Sequence, residues 1–185
     1  MVFSDFELTE FGCKFTDSET YDRADCVGGM EEEMETKTVT KSCRGVIVKE
    51  RTRGTGRGTL KISFHIPWAM FTKFFDMDRE GLITGVKAYG RNSTHKEFSS
   101  VMRVKDEDGN DKLKAYPKCA VKSGKASKIE NGAEEVAEAE LEIGVTPDEY
   151  GEGVYEALVS ELEDETVINT WMTAFTPELV RVVGA

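Results

Sequence analysis

The side chains with the most chemical potential in this 185-residue chain are four cysteines, Cys13, Cys26, Cys43 and Cys119, and two histidines, His65 and His95. The thiols lie far apart and form no C-x-x-C pair. A zinc site would need ligands gathered from scattered elements, so lone reduced thiols are the simpler expectation. No serine or cysteine stands in a nucleophile elbow, or at a helix start with a histidine in a recognisable relation to it. His65 falls on the polar side of an alternating segment and His95 in a polar turn. The carboxylates follow strand-like alternation instead of pairing in an apolar pocket, which gives no cause for a raised pKa.

Two glycine- or acid-rich motifs invite sharper readings and fail them. In DEDGND, counting from Asp106, a calcium loop of the EF-hand type needs Gly at position six and Glu at position twelve. The chain has Asp111 and Pro117 there, and a Gly109-Asn110 hairpin turn explains the residues with less. Gly54, Gly56 and Gly58 in RGTGRG lack the G-x-G-x-x-G spacing of a phosphate loop. A strand follows them where a nucleotide fold needs a helix N-terminus, so they read as a turn. The chain is expected to be no enzyme, with no catalytic residues, cofactor or metal.

Net charge is −11, which argues against a role that depends on gripping phosphates. Hydrophobic residues make up 39%, enough for a core, and no apolar run approaches the length of a membrane span. The opening MVFSDFELTE is acidic and carries no basic flank, so a signal peptide is not expected.

The elements organise around TLKISFHIPWAMFTKFFDM. Leu60, Ile62, Phe64 and Ile66 alternate with Lys61, Ser63 and His65, the period of a strand with one buried face. Pro67 ends the ladder and opens a short helix, whose Trp68, Met70, Phe71, Phe74 and Phe75 demand burial against a sheet. Residues 3–15 form a first strand or an extended arm. Residues 16–35 read as an acidic loop, either solvated in a free monomer or ordering against a neighbour. Residues 37–52 are β-rich and are expected to meet the 58–66 strand across RGTGRG. Residues 78–90 supply a loop and a short strand. Phe98, Met102 and Val104 share one face of a strand over 97–105.

Further on, Lys112, Lys114, Lys118 and Lys122 alternate with Leu113, Ala115, Cys119 and Val121. Glu134, Glu138, Glu140 and Glu142 alternate with Ala137, Ala139, Leu141 and Ile143. If 112–122 and 134–143 pair antiparallel, a lysine face lies beside a carboxylate face. Pro117 then fits only an edge, a bulge or a non-bonding position. VYEALVSEL is another strand or short helix, Asp164 caps a helical turn leading into INTWMTAF, and FTPELVRVV closes as a strand. The sum is a single domain over 1–185, with 1–36 as a possible arm. It is mainly β (α+β): an antiparallel β-sandwich or barrel flanked by one main α-helix.

The segments RGTLKISFHIPW, GLITGVKAYGRN, HKEFSSVMRVKDEDGNDKLKAYPKCAV, SGKASKIENGAEEVAEAELEI and PDEYGEGVYEAL, then WMTAFTPELV, follow one another from about Arg44 onward. In that order they resemble the major tail (tail tube) proteins of long-tailed bacteriophages of Gram-positive bacteria. The resemblance implies a structural virion protein, made in the host bacterial cytoplasm, whose hexameric rings stack into a tail tube that delivers DNA. It implies partners: further copies of itself, a tape-measure protein, tail terminator and tail-tip proteins, and dsDNA passing without specific binding, with no membrane. Glu134, Glu138, Glu140 and Glu142 are the candidates for facing the channel, where carboxylates would repel phosphate. Glu31, Glu32 and Glu33, with Arg53 and Arg57, are the candidates for contact between rings. The alternatives are a tube subunit of a phage-tail-like bacteriocin or injection device, or a monomeric β-sandwich binding module.

Overall fold

The computed structural model describes residues 2–129, 131–132 and 134–182. Eight strands make one antiparallel sheet: β1 Glu7–Phe15, β2 Asp22–Ala24, β3 Val27–Cys43, β4 Val46–Phe64, β5 Glu97–Lys105, β6 Asp111–Val121, β7 Ala139–Val145 and β8 Tyr155–Leu158. The order is β2-β1-β5-β6-β7-β4-β3, with β8 on β6. The sheet curls so far that β1 and β3 come into contact, although among the described residues no ladder bonds join them. The result is an open barrel with a seam. Two helices complete the α+β fold, α1 Trp68–Phe74 and α2 Glu165–Ala174. Among the described residues, no helix is long and apolar enough to cross a membrane.

Alternation explains the concave face. Phe11, Cys13 and Phe15 of β1, Leu60, Ile62 and Phe64 of β4, and Leu141, Ile143 and Val145 of β7 all turn into one apolar cluster. From α1 and the residues just after it, Met70, Phe71, Phe74 and Phe75 join that cluster. Phe74 sits edge-on to Phe15 at 5.1 Å and to Phe98 at 4.9 Å. Trp68, expected in the core, is instead 61% exposed on the first turn of the helix.

The opposite face of β5 and β6 holds a second cluster, in which Val101, Leu113 and Ala115 lie under Trp171, Met172 and Phe175. The Asp164 carboxylate accepts from Thr166 N–H at 2.8 Å and starts α2, as expected of an N-cap. Trp171 Nε1 donates to the Lys114 carbonyl at 3.2 Å and fixes the helix to the sheet. Pro117 is accommodated by a bulge. Phe98 pairs with Cys119 but Ser100 with Tyr116, so Pro117 and Lys118 share one opposing position. The extra residue reverses the alternation: Leu113 and Ala115 face α2, whereas Cys119 and Val121 face the barrel interior. The β5–β6 turn closes on Asp106, whose carboxylate accepts from Asp108 N–H at 3.0 Å and Asn110 N–H at 2.7 Å.

Several expectations are corrected. Residues 27–35 are not a loop but the start of β3, with Met30 and Met34 packed on the core and Glu31 and Glu33 turned outward. RGTGRG is not the hairpin turn. It lies inside β4, and the chain reverses at Arg44 and Gly45, whose φ values of 53° and 80° suit a two-residue hairpin. β7 begins only at Ala139, and it meets β6 over Cys119–Val121 alone. The face-to-face lysine and carboxylate strands therefore do not form; Lys114 opposes Glu156 of β8 instead. Residues 78–90 hold no strand, and Pro177–Val180 is a 3-10 turn in place of a closing strand.

Candidate assembly surface

Past Gly58 the β3–β4 pair leaves the body of the sheet as a two-stranded ribbon. Residues 35–54 are exposed throughout. At ~3.3 Å per residue the ribbon projects roughly 25–30 Å. An isolated pair of strands is marginal in water, and this one also exposes Val39, Val46, Ile47 and Val48.

Its base is firmly held. Gly56 has φ 72°, and a Cβ there would meet the Gly151 carbonyl and Pro147; Gly153 similarly faces the Gly56 carbonyl. These close approaches, not a phosphate or a turn, account for Gly56, and the nearness of Glu33 and Met34 accounts for Gly58. The supporting turn is organised by Asp148, which accepts from Tyr150 N–H and Glu152 N–H at 2.9 Å each and from the Tyr155 hydroxyl at 2.7 Å. Burial and the Asp148 carboxylate push the Tyr155 phenol up to about 12.

The ribbon has two unlike faces. Opposed residues share a face, so one side carries Lys37 against Arg53, Val39 against Arg51, and Lys41 against Lys49. The other carries Thr38 against Thr52, hydrogen-bonded at 2.8 Å, and Thr40 against Glu50.

Register brings some of the candidate residues together. Glu31, Lys61 and Glu142 form one row across β3, β4 and β7, and Ser63 and Glu140 belong to the next. Glu33, Glu140 and Glu142 thus share the outward face of the sheet with Glu31, where Lys61 lies 3.5 Å from Glu31. Glu138 folds over Gly28 at the end of β3, and Glu134 precedes β7 in a segment without ladder bonds. Arg53 stands on the ribbon and Arg57 at its base.

Glu32 separates from its neighbours. It turns inward to Lys114, whose side chain is only 3% exposed and whose ammonium also meets Glu156 at 2.7 Å. Burial opposes the charge of Lys114, but the hydrogen bonds to Glu156 and Glu32 outweigh it and raise the pKa above the ordinary lysine value. The cluster joins β3, β6 and β8. Tyr116 lies beneath it with its hydroxyl buried and, among the described residues, without a hydrogen-bond partner; burial first, and Glu32 second, push that phenol well up.

Neither the ribbon nor this ion cluster was apparent from periodicity alone. The signal for the ribbon was the uninterrupted alternation TKTVTK followed by VKERTR, with no apolar partner face.

No protein-family model matches the chain, and no curated protein matches it. Among solved structures it is similar to a chain of the anti-feeding prophage tube-terminating cap. That match has 10% identity and a TM-score of 0.47, covering 86% of this chain and 95% of the other. A chain of the six-fold symmetrised anti-feeding prophage baseplate is similar at 10% identity and a TM-score of 0.47, over 88% of this chain and 100% of the other.

Proposed function

We propose that this chain is a structural subunit of a phage tail or tail-like device, and that it joins copies of itself into stacked hexameric rings forming a tail tube for DNA. The observation that carries this reading is the ribbon: a long hairpin, exposed on both faces, held at its base and bearing apolar side chains that nothing among the described residues covers. A feature of this kind is completed by another molecule. The segment resemblance to tail tube proteins supplies the biological setting, and with it a tape measure, a terminator, tail-tip proteins and passing DNA as partners. Head-to-tail contact between unlike surfaces is the arrangement that builds an open filament. The same physics serves a phage tail or a tail-like injection device.

Electron microscopy and sedimentation of the concentrated full chain test the reading. Rings or tubes of uniform width are expected. A variant with residues 38–52 replaced by a two-residue turn should stay folded and monomeric. A full chain that remains monomeric at every concentration and salt would favour a binding module instead.

A further inference from the structure

Charge is divided unevenly along this chain. Residues 36–57, the ribbon, hold seven Lys and Arg against Glu50 alone, a net of +6 within a protein of net −11. From residue 129 to the C-terminus there are fifteen carboxylates against Arg181 alone, a net of −14. Elsewhere the charges settle locally, as in Arg23–Glu10, Lys73–Asp22 and Arg103–Asp111. In contrast, among the described residues none of Lys37, Lys41, Arg44, Lys49, Arg51, Arg53 and Arg57 makes an ion pair.

The register sharpens the point. Lys37 opposes Arg53 and Lys41 opposes Lys49 on the same face, with Arg51 between them. Like charges directly opposed across two strands are unfavourable. A free ribbon gains nothing from this arrangement, whereas an acidic surface laid against that face turns the repulsion into attraction. The largest excess of carboxylates on the same chain is in its C-terminal third. There Glu161, Glu163, Asp164 and Glu165 are all exposed, and among the described residues none of them forms an ion pair. Asp164 spends one oxygen on capping α2.

We propose that the basic face of the ribbon, Lys37, Lys41, Lys49, Arg51 and Arg53, docks on the acidic C-terminal third of a second copy of this chain, with Glu161, Glu163, Asp164 and Glu165 as its main counterpart. The proposal rests on the self-assembly reading and adds its partner surface and its control by charge. Basic ribbon and acidic body are unlike surfaces, so each copy has both a donor and a receiver. Steering by opposite potentials also directs the ribbon away from its own kind.

The full chain carrying Arg51→Glu and Arg53→Glu tests it. The reversal relieves the clash of Arg53 with Lys37, so the ribbon itself is not weakened. Assembly, read by sedimentation and microscopy, should need about tenfold more protein or more, and wild-type assembly should weaken as salt rises from ~0.05 to ~0.5 M. Adding Glu161→Lys and Glu163→Lys to the reversed ribbon should restore assembly, and Arg51→Lys with Arg53→Lys should leave it intact. Assembly unchanged by the reversal, or a rescue obtained only by reversing Glu140 and Glu142, overturns the proposal while the self-assembly reading stands. Capture of a short DNA duplex, lost in the reversed variant whose assembly is unaltered, also overturns it and makes the ribbon a nucleic-acid arm. A wild-type chain that never assembles overturns the underlying reading instead.

Discussion

Replacing Lys114 by Met keeps most of its volume but leaves Glu32 beneath β3 without its cation. Removing one member of a buried ion group is expected to cost ~3 kcal/mol, the low end of the usual range because the cluster is partly open to water. Glu156 is 43% exposed on its side chain, so Glu156→Gln should cost under ~1 kcal/mol. Urea unfolding midpoints of the two variants separate these outcomes; equal losses would contradict the asymmetry of the cluster. The buried thiols Cys13 and Cys119 are pushed up by burial, Tyr116 is raised by burial and Glu32, and Lys114 is raised by its carboxylates. Each group holds its proton more tightly folded than unfolded. The stability they contribute is therefore complete below their ordinary values and is lost as pH rises, beginning in the thiol range near ~8.5 and continuing through the phenol and lysine range above ~10. Thermal unfolding should give a midpoint that falls steadily above pH ~8.5; a level midpoint to pH ~11 would refute the burial of these groups.

At the scale of elements, α1 and the ribbon behave in opposite ways. Phe74→Ala removes a fully buried ring wedged between Phe15 and Phe98 and should cost ~3–5 kcal/mol in denaturant unfolding. Gly56→Ala strains a left-handed backbone position against the 147–153 turn. It should cost more than the about 1–2 kcal/mol of left-handed strain alone, because the new Cβ also meets the Gly151 carbonyl, and loosen the ribbon base, seen as faster amide exchange near residue 56. Strand β4 and helix α1 were legible because their buried sides repeat at the strand and helix periods in Leu60, Ile62 and Phe64 and in Met70, Phe71 and Phe74. Of the ribbon only its β-rich character over 37–52 was legible; its projection was not, because a strand buried on neither face has no hydrophobic period to read. Val39 and Thr40 look alike to a burial argument when both are wet. Arg44-Gly45 is hard to read as the turn because RGTGRG places three glycines close by, of which Gly56 and Gly58 serve close packing beside a bulge in β4. The acidic run at Glu31–Glu33 conceals a strand for a related reason. Its middle residue is turned inward and neutralised by Lys114, eighty-two positions away, a pairing that no local pattern reports.

For the whole molecule the useful quantity is where charge lies, not its total. A net charge of −11 suggests a uniformly acidic particle, yet the ribbon is strongly basic and the C-terminal third carries more than the entire excess. If the ribbon engages the Glu161–Glu165 region of a neighbour, the outward carboxylates of β7 remain free to serve another surface. Glu140 and Glu142 sit in successive rows beside Ser63 and Lys61, facing away from both apolar clusters. In a tube they would supply the phosphate-repelling wall that lets DNA slide without adhering. Reversing them, Glu140→Lys with Glu142→Lys, should leave the body folded, since the side chains are exposed and carry no internal ion pair among the described residues. Tubes should still form, because the ribbon and its counterpart are untouched. Passage of DNA should become slower and more salt-dependent, as lysines on the wall trade counterions for phosphate contacts. Ejection measured on particles built from the variant decides the matter: an unchanged rate removes these two residues from the channel, and a failure to form tubes returns them to a subunit interface.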